Sequence, residues 1–150
     1  MFRGVTNINL DAKGRLAIPT RYRDGLRDCC GSELVITADT DRSLLIYPLP
    51  EWHQIERKLM RLPTFNKTAR QLQRLMVGYA TEVEMDAQGR VLLPAPLREF
   101  ARLDKHVVLV GQGTKFELWD AERWNEQQGW IDGVDLESLD LPAGLEDLSI

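Results

Sequence analysis

Two segments of the chain place an acidic and a basic side chain four positions apart, and these pairs carry its clearest chemistry. Asp11 and Arg15 belong to residues 11–19, which read D-A-x-G-R, three apolar residues and Pro. The same pattern returns 75 positions later, in residues 86–94. Each pair could take part in acid–base chemistry. Alternatively, each acid shapes a turn, because Asp accepts hydrogen bonds from the backbone two residues further on.

The remaining residues offer little catalytic or metal-binding chemistry. Neither His53 nor His106 lies beside a Ser or Cys nucleophile in a motif. Cys29 and Cys30 are adjacent, so a disulfide between them would be strained, and zinc needs about four suitable ligands. Residues 111–115 lack the spacing of a phosphate-binding loop and are typical of a hairpin turn. We therefore predict a protein that is not an enzyme and uses no metal, cofactor or small-molecule substrate.

The motif is the centre of a longer internal repeat. Beyond it, Arg23 corresponds to Arg98 at the same offset. Units of about 50 residues bury little surface alone, so two of them are expected to share one core. With the offset reduced to 72, the corresponding aromatic residues are Tyr47, Trp52, Trp119 and Trp124. The predicted organisation is a first repeat at 1–60, a helical connector at 61–79, a second repeat at 80–127 and an acidic tail at 128–150.

Each repeat is expected to begin with a β-hairpin that runs into a short helix. Residues 6–10 alternate as in a half-buried strand, residues 11–14 supply Asp and Gly for a turn, and residues 15–18 form the return strand. Pro19 then favours a helix at 19–26. The other predicted strands are 33–37, 44–47, 83–85, 90–93, 107–110 and 115–119, and the other predicted helices are 50–62, 66–77 and 94–102.

Charge is unevenly distributed along the chain. The formal net charge is −4, yet residues 1–28 carry +3, residues 51–80 carry +4 and residues 101–150 carry −7. Such asymmetry can present a basic face to a polyanion, although charges in residues 51–80 are also typical of a solvated helical face. The sequence has no apolar leader and no apolar run of the roughly 20 residues that cross a bilayer, so a cytoplasmic location is predicted.

The motif, its duplication and several flanking segments resemble a known protein family. D-x-x-G-R-x-x-x-P in a hairpin followed by a short helix is similar to the swapped-hairpin barrel of AbrB-type transcription regulators. Two tandem copies, the opening residues 1–4, the segment 14–23 and the run Y-P-L-P-E-W at 47–52 resemble the MraZ family. The resemblance covers nearly the whole chain and is weakest in the acidic tail.

The resemblance implies a bacterial transcription regulator that binds promoter DNA of the division and cell-wall gene cluster, including its own promoter. The implied fold is α+β, with two tandem AbrB-like hairpin units that build a pseudo-dimeric double-split β-barrel with flanking helices. The family also implies ring-shaped homo-oligomers, whose equivalent modules can meet short direct repeats in DNA one after another. The implied location is the cytoplasm, in association with the nucleoid and without a membrane partner.

The first copy of the motif supplies most of the residues expected to contact DNA. A β-ribbon fits the major groove, where Arg15 could donate two hydrogen bonds to guanine. Lys13 lies in the turn and is suited to a phosphate, and Arg3 is expected just before the first strand and near both. The alternative for Arg15 is an ion pair with Asp11 that supports the turn. The candidate DNA-binding residues are Arg3, Lys13, Arg15, Arg21 and Arg23.

The second copy departs from this pattern. Gln88 replaces the turn lysine, and Glu82 and Glu84 flank the second motif. These changes make its surface less cationic, so the first repeat is expected to read DNA more than Arg90 does.

Two other functions remain open from the sequence. One is an AbrB-like antitoxin that binds a partner toxin through the acidic tail. The other is a ring-forming scaffold without a nucleic-acid partner, which the basic residues 1–28 disfavour.

Overall fold

The computed structural model describes residues 1–133, which form a six-stranded antiparallel sheet, a separate two-stranded ribbon and five α-helices. The strands are β1 (Phe2–Asn9), β2 (Arg15–Ala17), β3 (Glu33–Ala38), β4 (Leu44–Pro48), β5 (Thr81–Glu84), β6 (Arg90–Leu92), β7 (His106–Gly113) and β8 (Phe116–Asp120). The helices are α1 (Thr20–Cys30), α2 (Leu49–Met60), α3 (Lys67–Tyr79), α4 (Ala95–Phe100) and α5 (Ala121–Gln127), followed by a 3₁₀ helix at Gln128–Gly133. In this part of the chain, no helix has the length and apolar character needed to cross a membrane.

The strand order of the large sheet repeats the symmetry of the sequence. The order is β1-β7-β8-β4-β3-β5, and β2 pairs with β6 in the ribbon. The strands β1, β3 and β4 of the first repeat correspond to β5, β7 and β8 of the second. When each strand is exchanged for its counterpart, the same order is obtained from the opposite end of the sheet. The predicted α+β class with two tandem units is confirmed. The sheet is not closed into a barrel, however, because β1 and β5 stand at its two edges.

The predicted hairpin is wrong in its pairing, because the strands on either side of each turn pair with the other repeat. β1 pairs with β7 over eight residue pairs, and β5 pairs with β3. The turn itself forms as expected, since the backbone N–H of Gly14 donates to the carbonyl of Asp11 at 3.0 Å. An isolated two-stranded hairpin is at best marginally stable, and the exchange lets both repeats build one core.

The large sheet packs a core on each of its faces. In β4, Ile46 belongs to the core that also contains Leu16 of the ribbon. Leu45 and Tyr47 belong instead to the core that contains Trp52 of α2. Successive side chains of a strand point to opposite faces. The ribbon and α2 therefore lie on opposite faces of the sheet.

The helices α1 to α4 correspond to the predicted ones, although α4 is shorter than predicted and α1 is longer. It continues to Cys30 instead of ending near residue 26, and Gly31 closes it with a left-handed backbone. α2 ends at Met60, shortly before Pro63. Asn66 caps α3, because its side chain accepts a hydrogen bond from the first turn of that helix. The predicted tail begins with the 3₁₀ helix, and its remainder, residues 134–150, lies outside the described residues.

Candidate nucleic-acid interface

Asp11 holds the first turn with three hydrogen bonds. Its Oδ1 accepts from the backbone N–H groups of Lys13 and Arg15, both at 2.9 Å. Its Oδ2 accepts from Nε of Arg15 at 2.6 Å. Asp86 holds the second turn in the same way, with its Oδ2 3.1 Å from Nε of Arg90. The ion pair considered as the alternative for Arg15 is therefore present in both copies.

These hydrogen bonds favour the ionised form of both turn carboxylates. The backbone N–H of Arg15 is the main contact that lowers the pKa of Asp11 from its ordinary 3.8. The backbone N–H of Arg90 lowers the pKa of Asp86 in the same way. A carboxyl whose pKa falls on folding stabilises the protein above its unfolded pKa, and this contribution disappears as the pH falls through the folded pKa. The turns should therefore lose this support only in acid, below pH 3.8.

Replacing Asp11 with Asn should separate the two roles of the carboxylate. The amide oxygen can still accept from the backbone N–H groups of Lys13 and Arg15, but it has no charge to hold the Arg15 guanidinium. We expect Asp11→Asn to lower the melting temperature less than Asp11→Ala, and to make stability less sensitive to acid than in the unmodified protein. Thermal unfolding followed from neutral pH into acid measures both effects. If both variants lowered the melting temperature equally, the backbone contacts of Oδ1 would not support the turn.

The ribbon β2–β6 brings the two motif arginines onto one exposed face. In its register Arg15 stands opposite Leu92 and Ala17 stands opposite Arg90, while Leu16 between them is fully buried. Because side chains alternate along a strand, both arginines emerge on the side away from the core. Their side chains are 29% and 33% exposed, so neither is enclosed by the protein. Sequence reasoning missed this pairing, because nothing in either motif shows that β2 joins β6.

Arg3 and Arg21 both lie along β1, but on opposite faces of the strand, because Arg21 contacts Thr6 and side chains alternate along a strand. Arg3 lies within β1 rather than before it, and the hydroxyl of Tyr22 donates to its backbone carbonyl. Arg21 donates from Nη2 to Oγ1 of Thr6 at 3.0 Å, and its guanidinium lies 4.6 Å from the centroid of the Tyr22 ring. Arg3 and the end of β1 are separated by roughly 20 Å of extended strand. Arg3 therefore does not adjoin Lys13, which is exposed in the turn beyond that end.

Arg23 and its counterpart Arg98 each pack against the turn of the other repeat. Arg23 donates from Nε to the carbonyl of Ile18 at 2.8 Å, and a Cβ on Gly89 would overlap its side chain. Arg98 lies over Gly14 in the same manner, where a Cβ would be 2.7 Å from its Nη1. Arg23 is thus engaged in contacts between the repeats. Sequence reasoning missed the equivalent role of Arg98, although the repeat alignment pairs the two arginines.

Similarity to known proteins agrees with this geometry. Residues 1–75 and 76–133 match the family model described as "MraZ protein, putative antitoxin-like". The chain belongs to the MraZ family. Three relatives are named transcriptional regulator MraZ. The protein from Methylococcus capsulatus is 55% identical to this chain over 93% of both chains, and the protein from Thioalkalivibrio sulfidiphilus is 56% identical over 100% of both. The protein from Nitrosospira multiformis is 59% identical over 85% of this chain and 86% of the relative.

These matches confirm the resemblance that the repeated motif indicated. The relatives are named as transcriptional regulators rather than as enzymes, which supports transcription regulation as the role of this MraZ-family chain. In the described part of this MraZ-family chain, no group of three or more His, Cys, Asp or Glu side chains is placed to hold a metal ion. Residues 111–115 end β7 and lead into β8, so they form the predicted hairpin turn.

Proposed function

We propose that this MraZ-family chain binds double-stranded promoter DNA through the ribbon β2–β6, and that it regulates the division and cell-wall gene cluster, including its own promoter. The observation that supports this function best is the exposed ribbon face that carries Arg15 and Arg90. A two-stranded ribbon fits the width of the major groove, where guanine offers its O6 and N7 atoms to an arginine.

Asp11 positions Arg15 for such a contact. The carboxylate accepts a hydrogen bond from Nε of the guanidinium at 2.6 Å, so the two terminal nitrogens remain as donors for a base. A side chain that is already held in one orientation loses less conformational entropy on binding. Lys13 is exposed in the same turn and contacts a phosphate. The ion pair therefore assists recognition instead of competing with it.

The first repeat makes the larger contribution to recognition. In the second turn Gln88 takes the place of Lys13, and its Oε1 accepts from Nη2 of Arg90 at 3.3 Å. Arg90 thus has fewer donors to offer, and no lysine lies in its turn. Arg21 contacts a phosphate further along the duplex, since it lies beside β1 rather than near the turn. Arg3 points to the opposite face of β1 and would reach a phosphate only around that edge of the sheet. Arg23, which packs against Gly89, has only its terminal nitrogens to offer a phosphate.

The regulator acts in the cytoplasm, on the nucleoid, as a ring of identical subunits. Two tandem units of similar fold present non-identical surfaces, and heterologous contacts between such surfaces either close into a ring or continue as a filament. A ring repeats one DNA-binding face by rotation, which suits short direct repeats better than the palindromes expected of an isolated twofold dimer.

Binding to several direct repeats should be far tighter than binding to one. Linked sites raise the effective concentration of each module, and every module adds phosphate contacts whose released counterions make affinity fall with salt. Titrations of duplexes with one, two and three repeats, each at two salt concentrations, measure both effects. The log–log salt slope should be about −0.9 per phosphate neutralised. Equal affinities would indicate a single-site binder, and a flat salt response would argue against the basic face.

The family description gives a reason to retain the antitoxin alternative, because it includes the words antitoxin-like. In that function the acidic tail would neutralise a toxin, and most of the tail lies outside the described residues. The gene neighbourhood separates the two functions. An antitoxin gene stands beside a small toxin gene, whereas the proposed regulator stands beside cell-wall genes.

A further inference from the structure

The helices α2 and α3 carry a cationic surface that the proposed DNA site does not use. We call it the helical basic surface, and it consists of the exposed side chains Arg57, Lys58, Arg61, Lys67, Arg70 and Arg74. None of these six side chains forms an ion pair within residues 1–133. Glu51 and Glu56 are the acids of this helix pair, which leaves it a net charge of +4, and Glu56 accepts a hydrogen bond from the indole of Trp52.

The arrangement of these charges is unfavourable in the absence of an anion. Arg57 and Arg61, and likewise Arg70 and Arg74, are four positions apart, so like charges are neighbours on one helix face. Lys67 is the first residue of α3 and places a positive charge at the positive end of the helix dipole. An anionic partner on this surface would relieve both effects.

In the proposed function, the duplex lies on the ribbon side of the sheet and not on the helical basic surface. In β4, Ile46 points into the core beneath the ribbon, whereas Leu45 and Tyr47 point into the core beneath α2. The ribbon and the helical basic surface therefore face opposite sides of the sheet. An anionic partner of the helical basic surface would therefore be a different molecule or segment from that duplex.

Exposed apolar side chains border the helical basic surface. Met60, at the end of α2, is 61% exposed, and Phe65, in the connection to α3, is 90% exposed. A partner that carries both acids and apolar side chains fits this border better than a bare polyanion does.

Residues 134–150 of the same chain have this composition. They contain five acids and no base, so their side chains carry a charge of −5 against the +4 of the helix pair. Leucines alternate with these acids over much of the segment. The acids are Asp135, Glu137, Asp140, Glu146 and Asp147, and the leucines are Leu136, Leu139, Leu141, Leu145 and Leu148.

The segment starts on the correct face and is long enough. Glu117 pairs with Leu45 in the sheet, so Trp119, two positions further on, points to the same side as α2. Trp119 contacts Trp124 of α5, with ring centroids 5.9 Å apart, and the chain passes from α5 through the 3₁₀ helix to residue 134. Seventeen residues span at most roughly 56–61 Å, whereas six strands are roughly 24 Å across.

We propose that residues 134–150 dock on the helical basic surface of their own chain, with the acids against its arginines and lysines and the leucines against Met60 and Phe65. The docked segment shields this surface from other polyanions, and it leaves the ribbon on the opposite face free for DNA.

Zero-length carbodiimide cross-linking of the full chain tests this docking, because the reagent joins a carboxylate to an amine only when the two are in contact. The chain has five lysines, of which Lys58 and Lys67 belong to the helical basic surface and Lys13, Lys105 and Lys115 do not. A mixture of ¹⁵N-labelled and unlabelled protein shows by mass spectrometry whether each cross-link joins one chain or two. We expect cross-links from residues 134–150 mainly to Lys58 and Lys67, within one chain.

Neutralising the arginines of the surface should remove these cross-links and leave the reactive lysines in place. The variant Arg61→Gln/Arg70→Gln/Arg74→Gln should lower their yield several-fold. The matched control Arg21→Gln/Arg42→Gln/Arg102→Gln loses the same charge away from the helical basic surface and should leave the yield unchanged.

Three outcomes would overturn the docking. Cross-links spread evenly over all five lysines would show that contact is random, and cross-links between labelled and unlabelled chains would place the segment on another copy. If cross-links are absent while an unrelated DNA duplex protects Lys58 and Lys67 from acetylation, the surface belongs to nucleic acid.

Discussion

Gly89→Ala should destabilise the protein by about 2–5 kcal/mol and lower its melting temperature by roughly 5–15 °C. Gly89 has φ of +78°, a conformation that costs a residue with a side chain about 1–2 kcal/mol. The new methyl group would also overlap the guanidinium of Arg23, which is held against Ile18 by its hydrogen bond. Displacing such a packed side chain costs about 1–3 kcal/mol. Thermal unfolding followed by circular dichroism measures the total.

Two further variants separate strain from overlap at Gly89. Gly25→Ala is the matched control, because Gly25 lies inside α1 with no atom within 4 Å of its added Cβ, and it should stabilise the protein by about 0.5–1 kcal/mol. The double variant Gly89→Ala/Arg23→Ala keeps the strain and removes the overlap. Its loss of unfolding free energy should be clearly smaller than the sum of the losses of the two single variants. Strictly additive losses would mean that Arg23 does not pack on the turn of the second repeat.

Arg15→Ala should abolish specific DNA binding while the protein stays folded and assembled. Losing one bidentate contact to a base costs about 1–3 kcal/mol, and the cost multiplies when several modules of a ring engage linked repeats. The Arg15 side chain is partly exposed and its ion pair lies at the surface, so its removal changes folding stability little. Gel shifts on a duplex with direct repeats, together with size-exclusion chromatography, report binding and assembly separately.

Arg90→Ala is the matched variant for Arg15→Ala, because both arginines occupy equivalent positions on one ribbon face. It should weaken binding less, since Arg90 already donates to Gln88 and its turn has no lysine. Comparable losses from two folded variants would show that the repeats share recognition equally. A collapsed assembly in Arg15→Ala would instead assign that arginine to the structure of the turn.

The turn chemistry could be predicted from the sequence because it is local. Asp11 accepts from backbone groups two and four residues on, and Gly14 adopts the positive φ of a turn. The same holds for the cap of α3 by Asn66, which depends only on the first turn of that helix. The duplication of the motif is the sequence feature that indicated both the tandem organisation and the family resemblance.

The pairing of strands could not be predicted in this way because the paired residues of the two repeats are roughly 45 to 110 positions apart. β1 and β2 have the alternation of a hairpin, yet each buries its apolar side chains against the other repeat. The contact of Arg23 with Gly89 follows from that exchange. Sequence reasoning grouped Arg23 with the DNA-binding residues and gave no sign that its side chain also packs on Gly89 of the other repeat.

We propose that Arg15, on the exposed face of the ribbon, reads guanine in the major groove. Replacing a guanine of the repeat by 7-deazaguanine removes the N7 acceptor and leaves Watson–Crick pairing intact. Binding of the unmodified protein and of Arg15→Ala to both duplexes, measured at a salt concentration low enough for the variant still to bind, completes a double-mutant cycle. We predict that the modified base weakens the unmodified protein at one guanine of each repeat and has no further effect on Arg15→Ala. Equal losses of affinity at every guanine, additive with the loss caused by Arg15→Ala, would contradict the contact between Arg15 and guanine.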